Sequence, residues 1–177
     1  AATVEAILRG GRRVTLAGQG GHVLVVADPA LAALGITARA VESLAQAGFA
    51  TSVYDALKGE PKQSDIDSAA DMAREAKSSL IVGLGGGSAL DTAKLVACCA
   101  VSGQSAAAYA LCATPLPAQP LPIIAVPTTA GTGSETTRVS VFANAERQKV
   151  WAWGEELKPD LAILDPELTI GVPPHIT

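Results

Sequence analysis

Runs of consecutive apolar residues take turns along this chain with stretches in which apolar positions recur every three or four residues. Val23 to Ala27 is a continuous apolar run ending at Asp28-Pro29, the pattern of a strand buried on both faces. From about Thr37 to Ala47, Val41, Leu44, Ala45 and the stop residue Gly48 share one face of a predicted helix. Phe49 to Tyr54 reads as a second short strand, followed by the loop Lys58-Gly-Glu-Pro61. Ser64-Asp-Ile-Asp67 has the form of a capping box with Asp in the place of Glu or Gln. Behind it Ile66, Ala69, Ala70, Ala73 and Ala76 repeat at helical spacing. Leu80 to Val82 predicts the next strand and Ser88 to about Val101 the next helix. Ala113 to Pro122 carries four prolines and reads as a surface connector. Leu121 to Val126 is strand-like, with Pro122 at its start. Arg138 to Phe142 and Lys149 to Trp153 flank the polar turn Asn144 to Arg147 and predict a hairpin. Trp151 and Trp153 fall on one side of it and are expected to pack. Asp160 to Asp165 reads as a last buried strand ending in an acid. Strands alternating with helices in this way predict an open parallel α/β sheet.

One junction carries more than fold. The strand Leu80 to Val82 breaks into four glycines among five residues, Gly83-Leu-Gly-Gly-Gly87, and Ser88 opens a helix. Glycines let backbone approach a ligand closely. The first-turn N–H groups of a helix have no internal acceptor and favour negative charge. Strand, glycine turn and helix start together predict a phosphate or pyrophosphate site. A second polar loop, Thr128 to Thr137, also follows a strand and supplies hydroxyls and backbone donors at the same carboxyl edge, where ligands bind in such sheets. It lacks the Gly-Lys-Ser/Thr ending of a P-loop, which argues against nucleoside triphosphate hydrolysis. Asp28, at a strand end, either accepts from the ribose hydroxyls of an adenosine or caps a turn before Pro29. Gly18-Gln-Gly-Gly21 precedes its strand and reads as a plain turn. Asp91 and Lys94, at i and i+3, form a helix pair, and Asp91 is close enough to the helix start to brace the glycine turn. Lys149 reads as a nucleotide contact or an ordinary surface lysine.

Composition narrows the class. With 49% hydrophobic and 17% charged residues in 177, the chain can bury a sizeable core. A net charge of -4 without a basic block argues against a nucleic-acid partner. No apolar run reaches membrane-helix length, so no membrane partner is expected. Ala1-Ala2-Thr3 lacks the form of a signal peptide. Three cysteines, Cys98, Cys99 and Cys112, make no disulfide framework and suit a reducing cytoplasm, with Cys98 and Cys99 in the core. His22 and His175 read as solvated loop histidines, and no metal site is expected in this chain.

The stretch Gly85-Gly-Gly-Ser-Ala-Leu-Asp-Thr-Ala-Lys94 resembles the pyrophosphate motif of the iron-containing (group III) alcohol dehydrogenases. Pro127-Thr-Thr-Ala-Gly-Thr-Gly-Ser-Glu135 is similar to their second signature, and Leu157 to Pro166 through His175 to the segment leading into their metal domain. The resemblance runs from about Val23 onward and covers only the amino-terminal half of the family. It implies a Rossmann-like, open, mostly parallel sheet with helices on both faces and a β-hairpin, residues 1–177 forming one dinucleotide-binding domain without the helical metal-binding domain. It implies NAD as cofactor, bound by Asp28 at the ribose and by Gly86, Gly87 and Ser88 at the pyrophosphate, with Asp91 supporting the turn. Thr128, Thr129, Thr132 and Ser134 would line the nucleotide, and Lys149 would reach it from the hairpin. Fe²⁺ or Zn²⁺ belongs to the complete enzyme, on one aspartate and three histidines outside this chain. The implied activity is hydride transfer between an alcohol or aldehyde and NAD by the full-length protein, this chain alone being inactive. Two alternatives stand beside it: a maleylacetate- or glycerol-type reductase of the same superfamily, and a nucleotide-binding or regulatory module without catalysis. A homo-oligomer is expected. Val14 to His22 leaves no room for the helix that family members carry before the strand ending in the ribose acid.

Overall fold

The computed structural model describes residues 4–7, 13–16, 21–170 and 172. Two short strands, β1 (Val4–Ile7) and β2 (Arg13–Leu16), pair antiparallel. The chain then enters the main sheet through β3 (His22–Ala27), continues through the helices α1 (Ala30–Ala33) and α2 (Ile36–Gln46), and returns as β4 (Ala50–Tyr54). Next come α3 (Gln63–Glu75), β5 (Ser78–Gly85), α4 (Gly87–Ser102), a 3-10 helix (Ala106–Cys112) and β6 (Ile123–Pro127). A separate antiparallel hairpin, β7 (Val139–Ala143) and β8 (Lys149–Trp153), precedes the short β9 (Leu161–Ala162) and α5 (Glu167–Ile170).

The main sheet runs β4-β3-β5-β6-β9, parallel at every pairing. Its order reverses between β3 and β5, because the chain lays β4 on one side of β3 and all later strands on the other. Reversal opens a crevice at the carboxyl ends of these two strands. Both faces of the sheet are covered, which is why β3 reads as an unbroken apolar run: Val23 to Ala27 are all buried. Alternate residues feed opposite layers. Leu24, Val26, Ile81 and Ile123 pack toward α3 and α4 with Ile66, Ala69, Ala93 and Val96. Val23, Val25, Leu80 and Leu84 pack toward α2 with Ile36, Ala40 and Leu44. Close approach of α4 to β5 depends on Gly83, where an added Cβ would lie 3.0 Å from Ala93 Cβ and 3.1 Å from Leu90 Cδ2.

Four expectations need correction. First, α3 begins at Gln63 with Lys62 as its N-cap and no side-chain cap, so Ser64 lies inside the helix. Asp67 instead reaches across to the 3-10 helix, accepting from Ala106 N at 2.7 Å and Ser105 Oγ at 2.7 Å. Second, the strand expected over Asp160 to Asp165 shrinks to two residues at the sheet edge, and Leu164 is 69% exposed. An apolar run predicts a buried strand only where something covers both sides. Third, Trp151 and Trp153 do share a side of β8, but it faces outward and each is about half exposed; Arg138 stacks over Trp153 at 5.2 Å. Fourth, His22 opens β3 and is part-buried, its ring nitrogens lying 2.9 Å from Ser78 Oγ and 3.0 Å from Ser52 Oγ, so it ties three strands together. His175 and Gly18 to Gly20 lie outside the described residues. No single described helix is long and apolar enough to cross a membrane.

Candidate functional site

The crevice between β3 and β5 is built by backbone. Asp28 N donates to Leu84 O at 3.0 Å, which locks the end of β3 against the glycine turn. Gly85 follows with φ +148, and a Cβ there would meet Ala89 Cβ at 2.9 Å and Asp28 Cβ at 3.0 Å. Only glycine takes that backbone conformation at that distance from its neighbours. Gly86 is the N-cap of α4, and no side chain caps the helix. The N–H groups of Gly87, Ser88 and Ala89 therefore point out of the first turn without an intrahelical acceptor, at the positive end of a 16-residue helix. Such an end suits an anion with several acceptor oxygens.

The second loop closes over the first. Thr128 N donates to Gly85 O at 3.0 Å. Thr129 and Thr132 lie directly over Gly86 and Gly87: added Cβ atoms there would be 3.2 Å from Thr129 Oγ1 and 3.3 Å from Thr132 Cγ2. Thr128 is buried, Thr129 half-buried and Thr132 exposed. Asp28 makes the turn contact, accepting from Ala30 N through Oδ1 at 2.9 Å; Oδ2 has no partner among the described residues. Cap and ribose acceptor are thus compatible roles for one carboxylate.

A buried polar cluster fastens these pieces from behind. Lys94 is fully buried, and its Nζ lies within hydrogen-bonding distance of Ser134 Oγ at 2.8 Å, Thr137 Oγ1 at 3.1 Å, the Val139 carbonyl at 2.8 Å and Asp91 Oδ1 at 3.3 Å. Asp91 accepts from Ser134 Oγ at 2.5 Å and, through Oδ2, from Val141 N at 3.0 Å. Ser140 Oγ donates to the Asp91 carbonyl at 2.8 Å. Burial pulls the Lys94 ammonium below the usual lysine range, opposed by the attraction of Asp91 and Glu135. Of the residues expected at the site, then, Asp28, Gly86, Gly87, Ser88, Thr128, Thr129 and Thr132 converge at the crevice. Asp91 and Ser134 sit behind it with their side chains committed to each other. Lys149 stands apart, exposed on β8 and paired with Glu60 at 2.8 Å.

Reasoning from spacing missed Thr137, Ser140 and the full role of Lys94. A signal was available: Asp91 and Lys94 are the only charges in a helix that is otherwise apolar, but for Thr92, from Ala89 to Val101. A charge that cannot reach water must find partners inside.

The family model for iron-containing alcohol dehydrogenase matches residues 7–166. The chain is 42% identical over 158 residues to long-chain-alcohol dehydrogenase 1 of Geobacillus thermodenitrificans, covering 88% of this chain and 40% of that protein. It is 45% identical over 159 residues to a probable alcohol dehydrogenase, EutG, of Salmonella typhimurium, with the same two coverages of 88% and 40%. Among solved structures, sulfoacetaldehyde reductase from Bifidobacterium kashiwanohense in complex with NAD+ superposes with a TM-score of 0.81 at 34% identity, covering 89% of this chain and 42% of that one. NADH-dependent butanol dehydrogenase A from Thermotoga maritima gives 0.83 at 26% identity, covering 89% and 40%. The chain therefore spans about two fifths of the length of these relatives. On the match of its sequence to the family and of its sheet to these structures, this chain belongs to the iron-containing alcohol dehydrogenases.

Proposed function

We propose that this chain is the NAD(H)-binding part of an alcohol dehydrogenase or aldehyde reductase. The observation that carries the reading is the uncapped α4 N-terminus at the β3/β5 crevice, with Asp28 on one side and the 128–134 loop on the other. The pyrophosphate lies against Gly86, Gly87 and Ser88. Asp28 accepts from the adenosine ribose and repels a 2′-phosphate. Thr128, Thr129 and Thr132 line the nucleotide, and Asp91 and Ser134 hold the loops that contact it; Lys149 reaches it from the hairpin only by leaving Glu60. NAD supplies the hydride chemistry, and these residues bind and orient it.

The family name implies iron. Among the described residues no group of three His, Cys, Asp or Glu side chains converges on one point, so the set does not fit a metal centre. By the same reasoning we propose that the 177 residues alone do not turn over an alcohol. Fe²⁺ or Zn²⁺, the alcohol or aldehyde substrate and a homo-oligomeric assembly belong to the complete enzyme. Three free thiols support a reducing, cytoplasmic setting.

The test is an NADH fluorescence titration of wild type and Gly87→Val. A valine side chain would press on Thr132, whose Cγ2 is 3.3 Å from the Cβ position, and crowd the first-turn N–H groups. Affinity is expected to fall at least tenfold, about 1.4 kcal/mol. Equal affinities would remove the phosphate assignment.

A further inference from the structure

We propose that Lys94 is a positioning residue for the cofactor site: its buried ammonium grips the 128–137 loop and the start of β7 and holds both at a fixed distance from the α4 N-terminus. The inference rests on the cofactor reading above and assigns a role within that same site.

An ammonium has three N–H donors. Around Lys94 Nζ four acceptors compete for them, and they come from three parts of the chain: Asp91 on α4, Ser134 and Thr137 on the loop, and the Val139 carbonyl on β7. Asp91 completes the junction by accepting from Ser134 Oγ and from Val141 N. The side chain thus acts as a three-way tie, with Lys94 two turns of helix below the phosphate-facing N–H groups. Thr129 and Thr132 lie on the outer part of the same loop, against Gly86 and Gly87. Any slackening at Ser134 and Thr137 moves the threonines that face the nucleotide. Beyond that grip and its first residue, where Thr128 N donates to Gly85 O, the loop's other hydrogen bonds are local, from Ser134 N to Thr132 Oγ1 and from Thr136 to the Gly133 carbonyl; Gly131 and Gly133 both have positive φ, and Ala130, Gly131 and Thr132 are exposed. A loop of this composition keeps one shape only if it is fastened at its base.

Charge is what the tie requires. Methionine at position 94 would fill nearly the same volume but give Ser134, Thr137 and the Val139 carbonyl no donor, and would leave Asp91 with an unneutralised carboxylate at a part-buried position. The expected result for Lys94→Met is local. Amides over residues 134–141 should exchange with deuterium at least tenfold faster, while those of 23–27 and 80–84 stay protected as in wild type. NADH affinity should fall at least tenfold with them. Selective loosening separates a positioning role from a general loss of stability, which would release the sheet amides as well. Thr137→Val removes only a loop contact of Lys94, the bond to Thr137 Oγ1, and the double variant Ser134→Ala/Thr137→Val removes the Ser134 contact and the Ser134–Asp91 bond as well; both keep the Lys94–Asp91 pair. Both should show the same pattern at smaller amplitude, and they carry the test if Lys94→Met does not fold. A folded variant with wild-type exchange over 134–141 overturns the inference, and so does a loosened loop with unchanged NADH affinity. If wild type itself does not hold NADH, the cofactor reading falls, while the exchange comparison still decides whether Lys94 is the fastening.

Discussion

At the scale of single residues, burial divides the chemistry of like groups. Cys98 and Cys99 are fully buried on α4, and desolvation pushes both thiols up, Cys99 to about 12; Cys112 is exposed at the end of the 3-10 helix. A thiol reagent at pH 8 should therefore titrate one cysteine quickly and the other two only on unfolding, since the thiolate is the reactive form. Fast labelling of all three would contradict the packing of α4. The raised thiols also set an alkaline limit. Unfolded cysteine loses its proton near the ordinary value of 9, the folded residues later, so the unfolded chain holds fewer protons and stability falls as pH rises above about 9. Melting temperatures between pH 8 and pH 10.5 should decline, and less steeply in Cys98→Ala/Cys99→Ala. Asp28 offers a second single-residue test. If its charge repels a 2′-phosphate, Asp28→Gly should shift the NAD/NADP affinity ratio toward NADP by about tenfold or more. An unchanged ratio would leave Asp28 as a cap alone, the contact already made to Ala30 N.

Elements were legible wherever period and burial agree. Strand β3, helix α2, helix α4 and the β7–β8 hairpin lie where the apolar patterns put them, but α2 packs through Ile36, Ala40 and Leu44 and leaves Ala45 and Gly48, expected on its inner face, exposed, and the hairpin buries Val150 and Ala152 in place of its tryptophans. Pattern gave out where the outcome depends on what lies opposite. Apolar Leu161, Ile163 and Leu164 look like a buried strand in sequence, yet they stand at the sheet edge and stay largely exposed. Helix α3 starts before its apparent cap because Asp67, the residue expected to close the box, is drawn to Ala106 N and Ser105 Oγ nearly forty positions away. The same limit applies to the candidate site. Its glycine turn could be read from local spacing, but the partners of Lys94 lie 40 and 43 positions away at Ser134 and Thr137. Nothing within α4 points to them except the presence of a charge in an apolar helix.

Taken whole, the molecule leaves apolar surface along one side. Leu161, Ile163, Leu164 and Ile170 are 44%, 45%, 69% and 81% exposed. Ile163 and Leu168 also line a groove of about 320 Å³ with Ile36, Leu44, Val82 and Ile124. Contiguous apolar surface of this kind favours association. Sedimentation of the 177-residue chain should show concentration-dependent self-association, and Leu164→Glu/Ile170→Glu should reduce it; a monomer at all concentrations would count against this. The absence of a converging ligand set among the described residues leads to a second expectation at this scale. Chelator-treated chain given NAD, ethanol or 1,2-propanediol, and Fe²⁺ or Zn²⁺ should form no NADH above background. Metal-dependent turnover would show that a complete site exists within it.

The parallel sheet order β4-β3-β5-β6-β9 has a consequence in time. Asp28, Gly86 and Thr128 meet only after β3 has paired with β5 and β5 with β6, contacts that span tens of residues in sequence. Long-range pairings of this sort form slowly, and a chain that lacks them has no crevice to occupy. A dinucleotide can then recognise only the finished sheet. It should leave the refolding rate untouched and act entirely by slowing escape from the native state, so the half-life against unfolding should lengthen by a factor of one plus the ratio of free dinucleotide concentration to Kd, for a site that no isolated segment of the chain possesses.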